Sequence, residues 1–116
     1  LLPLMLSEGV NKNKITISQL VNLTSMNAAK IFGMYPTKGS LEINSDADIT
    51  LIDLKKEQKV TTELFGGFSD YIVYDGWELK GWPVKTIVRG QIIAEDFQVI
   101  GKPGYGKLVP RKINST

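Results

Sequence analysis

The chain has 116 residues, of which 42% are apolar, and carries a net charge of +2 at pH 7. This length and composition suffice for one compact domain and exclude a chain that is disordered throughout. The sequence contains no Cys and no His, which excludes disulfides, thiolate nucleophiles, imidazole bases and zinc sites built from those ligands.

The basic residues are spread along the sequence, with a mild excess at Lys102, Lys107, Arg111 and Lys112. Nucleic-acid-binding proteins concentrate such residues on one face, so we interpret this excess as a solvated tail. The apolar run 1–6 is far shorter than the roughly 20 residues of a membrane span and lacks the basic start of a signal peptide. We therefore expect a cytoplasmic protein that binds neither nucleic acid nor membrane.

Helical patterns occupy the first third of the chain. The run 1–6 predicts the middle of a helix that begins upstream. Ser18 is a plausible N-cap for a helix over 18–25, because the apolar residues that follow recur on one helical face. Asn27 is predicted to cap a second short helix, and Gly33 to end that helix in the left-handed conformation.

From Gly39 the apolar pattern changes to that of strands. Segment 49–54 predicts a strand covered on both faces. Further on, the sequence predicts a strand at 60–62, glycine-rich punctuation at 66–69, an ordered loop over 66–82 pinned by aromatic residues, and a meander of strands at 84–88, 91–94 and 97–100. The whole predicts an α+β fold with about five antiparallel strands and a C-terminal arm that needs another surface to hold it.

One motif has the spacing of a phosphate-binding loop. Gly101 to Lys107 matches G-x-x-x-x-G-K, but the mechanism needs Ser or Thr next and then a helix. Leu108-Val109-Pro110 follows instead, so we reject nucleotide binding.

Acidic residues offer the only other candidate chemistry. Asp46, Asp48 and Asp53 flank a predicted strand without calcium-loop spacing, and we interpret them as structural. Two further acidic pairs are Asp75 with Glu78 and Glu95 with Asp96. Glycoside hydrolysis requires a defined distance between two carboxylates, and nothing in the sequence fixes that distance in either pair. We therefore assign no catalytic, cofactor-binding or metal-binding residue.

Two further patterns have a structural interpretation beside a functional one. Trp77 and Trp82 are typical of a ligand pocket or a protein interface, but internal packing explains them equally well. The glycosylation patterns at 22–24 and 114–116 are common by chance, and we interpret both as incidental.

Several separated strings, in the same order, resemble the end of the hydantoinase and dihydropyrimidinase group of cyclic amidohydrolases. They are Leu2-Pro3-Leu4, Ser7 to Asn11, Thr24 to Gly33, Gly39 to Ile49, Asp70-Tyr71, Tyr74 to Trp77, Gly81 to Val84, Val88 to Gly90 and Gly101 to Arg111. The pairing of Gly81-Trp82-Pro83 with Asp70-Tyr71 resembles that group more than allantoinases or dihydroorotases.

The resemblance implies a parent enzyme with a β/α barrel and two divalent metals, usually zinc, bridged by a carboxylated lysine. It also implies three parts of this chain. Residues 1–38 would form the helical end of the barrel, 39–100 part of a small β-sandwich, and 101–116 an arm that packs on a neighbouring subunit. The expected partners are thus the barrel, the N-terminal sandwich strands and a second copy.

Three alternatives stay open. The chain is a non-catalytic structural segment of such an enzyme, or a segment of a dihydropyrimidinase-related scaffold protein, an allantoinase or a dihydroorotase, or a free-standing β-rich assembly module. One departure from the family concerns Asp96-Phe97, where the resemblance implies Asp-Gly or Asn-Gly. Because positive φ would strain Phe97, we predict a different type of turn there.

Overall fold

The computed structural model describes residues 1–65 and 70–112, and within them helices precede a four-stranded antiparallel sheet. The sheet has strand order β1-β2-β3-β4, so the predicted α+β fold and meander are confirmed, with four strands in place of about five. The predicted punctuation at 66–69 and the sequence pattern at 114–116 lie outside the described residues.

The elements are α1 (Leu2–Met5), a π-helical turn (Leu6–Val10), α2 (Ile17–Val21), a second π-helical turn (Asn22–Met26), α3 (Asn27–Ile31), β1 (Ile49–Lys59), a 3₁₀ turn (Glu63–Phe65), β2 (Glu78–Val88), β3 (Gln91–Glu95) and β4 (Gln98–Val99).

The N-cap of helix α2 lies two residues earlier than predicted. Thr16 is the N-cap, because its Oγ1 accepts the Gln19 backbone N–H at 3.1 Å while Gln19 Oε1 accepts the Thr16 N–H at 2.8 Å. The prediction that Ser18 caps this helix is therefore wrong. Both residues have a capping hydroxyl, but only Thr16 has a glutamine three positions later to complete the reciprocal pair.

The two helices predicted around Asn27 are one continuous helical run. Asn27 has helical dihedral angles of −65° and −40° and caps nothing, because the π-helical turn before it carries the backbone directly into α3. The run ends at Ile31, and Gly33 follows in the left-handed conformation with φ 69°. The predicted role of Gly33 is thus confirmed, and that of Asn27 is wrong.

The strands differ from prediction at three places. Segment 60–62 is not a strand, since β1 already ends at Lys59 and the Val60 N–H donates to the Trp77 carbonyl at 2.8 Å. The loop predicted over 66–82 ends earlier than predicted, because β2 begins at Glu78 and includes Trp82. Strand β1 has only one face partly covered by the described residues, and Leu51 is 45% exposed. The apolar run alone does not reveal whether the covering surface lies in the same chain.

The core lies where the first helix meets β2. Trp82 is fully buried against Val60 and Leu79, and its indole N–H donates to the Leu79 carbonyl at 2.8 Å. Beside it, Gly81 has φ 100°, and a Cβ added there would lie 2.8 Å from Leu6 Cβ. The helix and the strand therefore touch with no room for a side chain between them.

Both turns of the meander have a left-handed backbone. Arg89 and Gly90 have φ 45° and 80°, and Asp96 and Phe97 have φ 43° and 65°. Positive φ at both central residues is the geometry of a type I′ hairpin turn, which matches the twist of the strands. The prediction of a different turn at Asp96-Phe97 is therefore wrong.

Packing explains why Phe97 tolerates this backbone. Its ring meets the Trp82 ring edge to face, with centroids 5.4 Å apart, and the Lys56 ammonium lies 4.8 Å from its centroid. Lys56 also pairs with Asp96 at 3.0 Å. Aromatic and cation–π contacts are each worth about 0.5–1.5 kcal/mol, which is comparable to the cost of the left-handed conformation.

We expect Gly81→Ala to lower the free energy of unfolding of the full-length gene product by about 3 kcal/mol, because a methyl group there adds overpacking to backbone strain. Gly90→Ala is the matched control, since Gly90 also has positive φ but no atom within 4 Å of the added Cβ. The control is expected to cost about 1 kcal/mol. Denaturant unfolding measures both, and equal losses would contradict the close helix–strand contact.

Candidate functional site

Two of the three candidate metal-binding carboxylates converge on a lysine. Lys38 Nζ lies 2.7 Å from Asp46 Oδ2 and also forms an ion pair with Asp48 Oδ2. All three side chains are at least two-thirds buried. The ammonium group thus occupies the place between the two carboxylates where a cation would bind.

Asp48 has a second partner on its other oxygen. Its Oδ1 accepts the Arg89 backbone N–H at 2.8 Å, and the neighbouring Gly90 N–H donates to the Ala47 carbonyl at 3.0 Å. Asp48 therefore ties the segment after the helices to the β2–β3 turn. We call the set Lys38, Asp46, Asp48 and Arg89 the junction.

The junction shifts the pKa values of its two central groups. Burial alone would raise the pKa of Asp48, but hydrogen bonds from Lys38 and from the Arg89 N–H outweigh burial, so the pKa lies below its ordinary value. Burial alone would likewise lower the pKa of Lys38, but hydrogen bonds to Asp46 and Asp48 raise it above its ordinary value. Both shifts favour the charged pair.

Asp53, the third candidate, lies apart and stabilises a bulge between β1 and β2. The register pairs Asp53 with Trp82 and Glu57 with Lys80, so three residues of β1 face one residue of β2. Asp53 Oδ1 accepts the backbone N–H groups of Lys55 at 2.8 Å and of Lys56 at 3.2 Å. Its carboxylate thus satisfies backbone donors that the irregular pairing leaves free.

The remaining acidic candidates do not form pairs. Glu95 binds Lys85 at 2.8 Å, and Asp96 binds Lys56 at 3.0 Å, so these neighbours face different strands. Asp75 and Glu78 are exposed residues on either side of Trp77, which is itself 48% exposed. Trp82, by contrast, is a core residue.

The donor set does not suit a metal ion. Over residues 1–65 and 70–112, no three acidic side chains come together in a group that could hold a metal, and the sequence has no His or Cys to complete a set. Within the same ranges, no helix is long and apolar enough to cross a bilayer. The polar contacts of Asp46, Asp48 and Asp53 hold segments of the fold together.

Sequence reasoning missed three residues that organise these contacts. Asn11 Nδ2 donates to the Lys80 carbonyl at 2.7 Å and to the Leu54 carbonyl at 3.3 Å, and so joins the end of the first helix to the bulge. Lys38 and Arg89 complete the junction. Only Arg89 carried a local signal, since Arg89-Gly90 separates two strand patterns. The partners of Asn11 are distant in sequence, and Lys38 reaches Asp46 and Asp48 across an irregular segment that has no periodic pattern.

The segment Gly101 to Lys107, whose spacing resembles a phosphate-binding loop, belongs to the arm. No helix follows it within residues 108–112, whereas a phosphate-binding loop leads into a helix. Instead, the Tyr105 ring stacks on the Arg89 guanidinium, with 4.2 Å from Arg89 Cζ to the ring centroid. The Gly101 N–H donates to the Ile93 carbonyl, and the Lys112 N–H to the Gly33 carbonyl. The arm thus has hydrogen bonds and a stacking contact within its own chain.

Comparisons with known proteins agree along nearly the whole chain. A model of the amidohydrolase family matches residues 2–93. The L-hydantoinase of Paenarthrobacter aurescens is 40% identical over 111 residues, which are 96% of this chain and 24% of that protein. A dihydroorotase of Pyrococcus horikoshii is 39% identical over 105 residues, which are 90% of this chain and 25% of that protein.

A solved structure agrees with the fold as well. The structure of L-hydantoinase (dihydropyrimidinase) from Arthrobacter aurescens superimposes with a TM-score of 0.91 at 41% identity, over 95% of this chain and 24% of that one. The chain therefore spans about a quarter of the length of the relatives that it matches.

We expect Asp48→Asn to lower the free energy of unfolding of the full-length gene product by about 1–2 kcal/mol at neutral pH, because it removes one carboxylate from Lys38. Asp75→Asn, at an exposed loop position, is the control and should change little.

The same pair of variants gives a pH test. Since the pKa of Asp48 is depressed in the folded state, its stabilising effect is present above the pKa of the unfolded chain, about 3.9, and is lost as pH falls through the folded-state pKa. The difference between wild type and Asp48→Asn should therefore shrink in acid. A difference that stays constant from neutral pH to about pH 2 would contradict the ion pair.

Proposed function

Because the chain belongs to the amidohydrolase family and is a hydantoinase-type segment of it, we propose that it is a non-catalytic C-terminal segment of a cyclic amidohydrolase. The parent enzyme hydrolyses the ring amide of hydantoins or dihydropyrimidines. In this proposal, the chain supplies packing, sheet structure and subunit contacts while the chemistry takes place elsewhere in the protein.

The observation that carries the proposal is that the fold of this chain superimposes on about a quarter of a hydantoinase structure. Helices, junction and sheet belong to a single match that covers 95% of this chain. A catalytic role would need activated side chains, yet Asp46, Asp48 and Asp53 each bind an ammonium group or backbone N–H groups. These carboxylates are already engaged in holding the fold.

The three parts of the chain have different roles in this proposal. Residues 1–38 form the helical end of the β/α barrel, and residues 39–100 contribute strands to a small β-sandwich. Exposed apolar side chains on both parts support the proposal that further segments of the parent protein cover them. Ile31 is 81% exposed and Ile43 is 93% exposed. Such side chains are typical of surfaces that another part of the protein covers.

The arm, residues 101–116, is proposed to contact a neighbouring subunit of a homo-oligomer. Leu108 supports this role, because its side chain is 96% exposed in the middle of the arm. A lone apolar side chain presented in this way gains most by entering the surface of a second copy. We further propose that the protein works in the cytoplasm, without nucleic-acid or membrane partners.

Two divalent metals, usually zinc, and a carboxylated lysine are proposed for the parent. Such metals polarise the ring carbonyl and generate a hydroxide nucleophile. The described residues of this chain do not fit that group, because the acidic side chains are dispersed and Lys38 neutralises the two that converge. We therefore derive no catalytic step from this chain.

A dihydroorotase is the second candidate for the parent. The similarity to the dihydroorotase of Pyrococcus horikoshii, 39% identity over 105 residues, supports it nearly as well. Both candidates hydrolyse a cyclic amide, so the choice concerns the ring that is bound. A scaffold protein without metals would keep the same fold and lack activity.

The decisive experiment assays the full-length gene product and residues 1–116 alone against a hydantoin, a dihydropyrimidine and dihydroorotate. We expect the full-length protein to open a hydantoin or dihydropyrimidine ring and to contain about two divalent metal ions per chain. Residues 1–116 alone should do neither. A preference for dihydroorotate would favour the second candidate, and an inactive, metal-free full-length protein would favour the scaffold.

Point variants test where the metals bind. Asp46→Asn and Asp53→Asn in the full-length protein should leave the metal content, measured by elemental analysis, unchanged. A stoichiometric loss of metal in either variant would contradict the proposal. Zinc binding and ring opening by residues 1–116 alone would contradict it outright.

A further inference from the structure

Arg89 is a large side chain at a backbone position that favours glycine. It is the first central residue of the β2–β3 turn, with φ 45°, and the adjacent Gly90 has φ 80°. A left-handed backbone strains any residue with a Cβ, so an arginine there needs a compensating contact. The compensation must come from the backbone N–H, from the side chain, or from both.

The backbone N–H is accounted for by Asp48, which accepts it at 2.8 Å. Glycine would keep that hydrogen bond and also relieve the strain. The interaction with Asp48 therefore does not explain an arginine at this position, and the explanation has to lie in the guanidinium group.

The guanidinium group holds Tyr105 of the arm. It lies over the tyrosine ring at 4.2 Å from the centroid, and Arg89 Nη2 donates to the Tyr105 carbonyl. In return, the Tyr105 hydroxyl donates to the Val88 carbonyl at 3.1 Å. Val88, the last residue of β2, and Arg89, the residue after it, thus together bind the ring, the carbonyl and the hydroxyl of Tyr105.

Tyr105 lies between the two ends of the arm that are hydrogen-bonded to the body. Gly101 donates to Ile93 at 2.9 Å, and Lys112 donates to Gly33 at 2.8 Å. Between these ends, only Tyr105 and Val109 are not exposed. Tyr105 is therefore the main attachment of the first half of this stretch.

We propose that Arg89 is a positioning residue for the arm: its guanidinium group clamps Tyr105 and fixes the course of residues 102–111 over the β2–β3 turn. The strained backbone is the conformational cost of placing a guanidinium group at the tip of a tight turn. Glycine suits the turn better but leaves the arm without its middle attachment. This role goes beyond the proposed assembly function, because it concerns how the arm is held within one chain.

The test compares Arg89→Gly with Asp96→Gly in the full-length gene product. Asp96 is the matched control, because it occupies the same first central position of the other type I′ turn, with φ 43°. It pairs with Lys56 and forms no hydrogen bond or ion pair with residues 101–112 of the arm. Limited trypsin digestion, followed by mass spectrometry, gives the rate of cleavage after Lys107. Thermal unfolding gives the stability of the whole protein.

We expect Arg89→Gly to accelerate cleavage after Lys107 by about tenfold, the factor typical of losing one stacked and charge-assisted contact. The melting temperature should stay the same or rise, because glycine suits the turn. Asp96→Gly should leave the cleavage rate unchanged. An unchanged rate in Arg89→Gly, or equal acceleration in both variants, would overturn the proposal.

A double-mutant cycle keeps the conclusion specific to the Arg89–Tyr105 contact. Tyr105→Ala should accelerate cleavage as much as Arg89→Gly does, and combining the two should add nothing further. Multiplying effects would overturn the clamp. Native mass spectrometry of the same samples tests the subunit contact separately: a loosened arm in an unchanged oligomer would refute the proposed role of the arm in assembly and leave the clamp intact.

Discussion

The close contact between the first helix and strand β2 determines the rest of the fold. Leu6 is fully buried against Gly81, where a Cβ would lie 2.8 Å from its own. Trp82, next to Gly81 in the strand, is fully buried. Asn11 at the helix end reaches the carbonyls of both β1 and β2. Packing of one helical turn thus sets the position of the sheet and the site of its bulge.

A second theme is the use of strained turns to place large side chains. Both meander turns are of the tight type that glycine favours, yet they include Arg89 and Phe97 at positive φ. Each of these side chains contacts an aromatic ring, of Tyr105 in the arm or of Trp82 in the core. The turns therefore act as attachment points as well as reversals of the chain, and they connect the arm and the core to the same small sheet.

Local patterns predicted the elements but not their partners. The order of helices and meander, and the left-handed Gly33 after the helical run, followed from spacing and residue type. The N-cap at Thr16 was missed because two hydroxyl residues compete, and the continuity through Asn27 because a capping residue also tolerates a π-helical turn. The junction was not predictable, since Lys38 and Arg89 lie far apart in the sequence and share Asp48 as a partner only in the folded chain.

The bulge in β1 has a consequence for aggregation. Strand β1 is 11 residues long and forms one edge of the described sheet. Before the bulge its residues, 49–54, are mainly apolar, whereas Lys55, Lys56, Glu57 and Lys59 make the remainder charged. Charged edges and bulges discourage the addition of foreign strands. The bulge thus divides the edge into a mainly apolar half and a charged half that repels other chains, so residues 49–54 are the greater aggregation hazard.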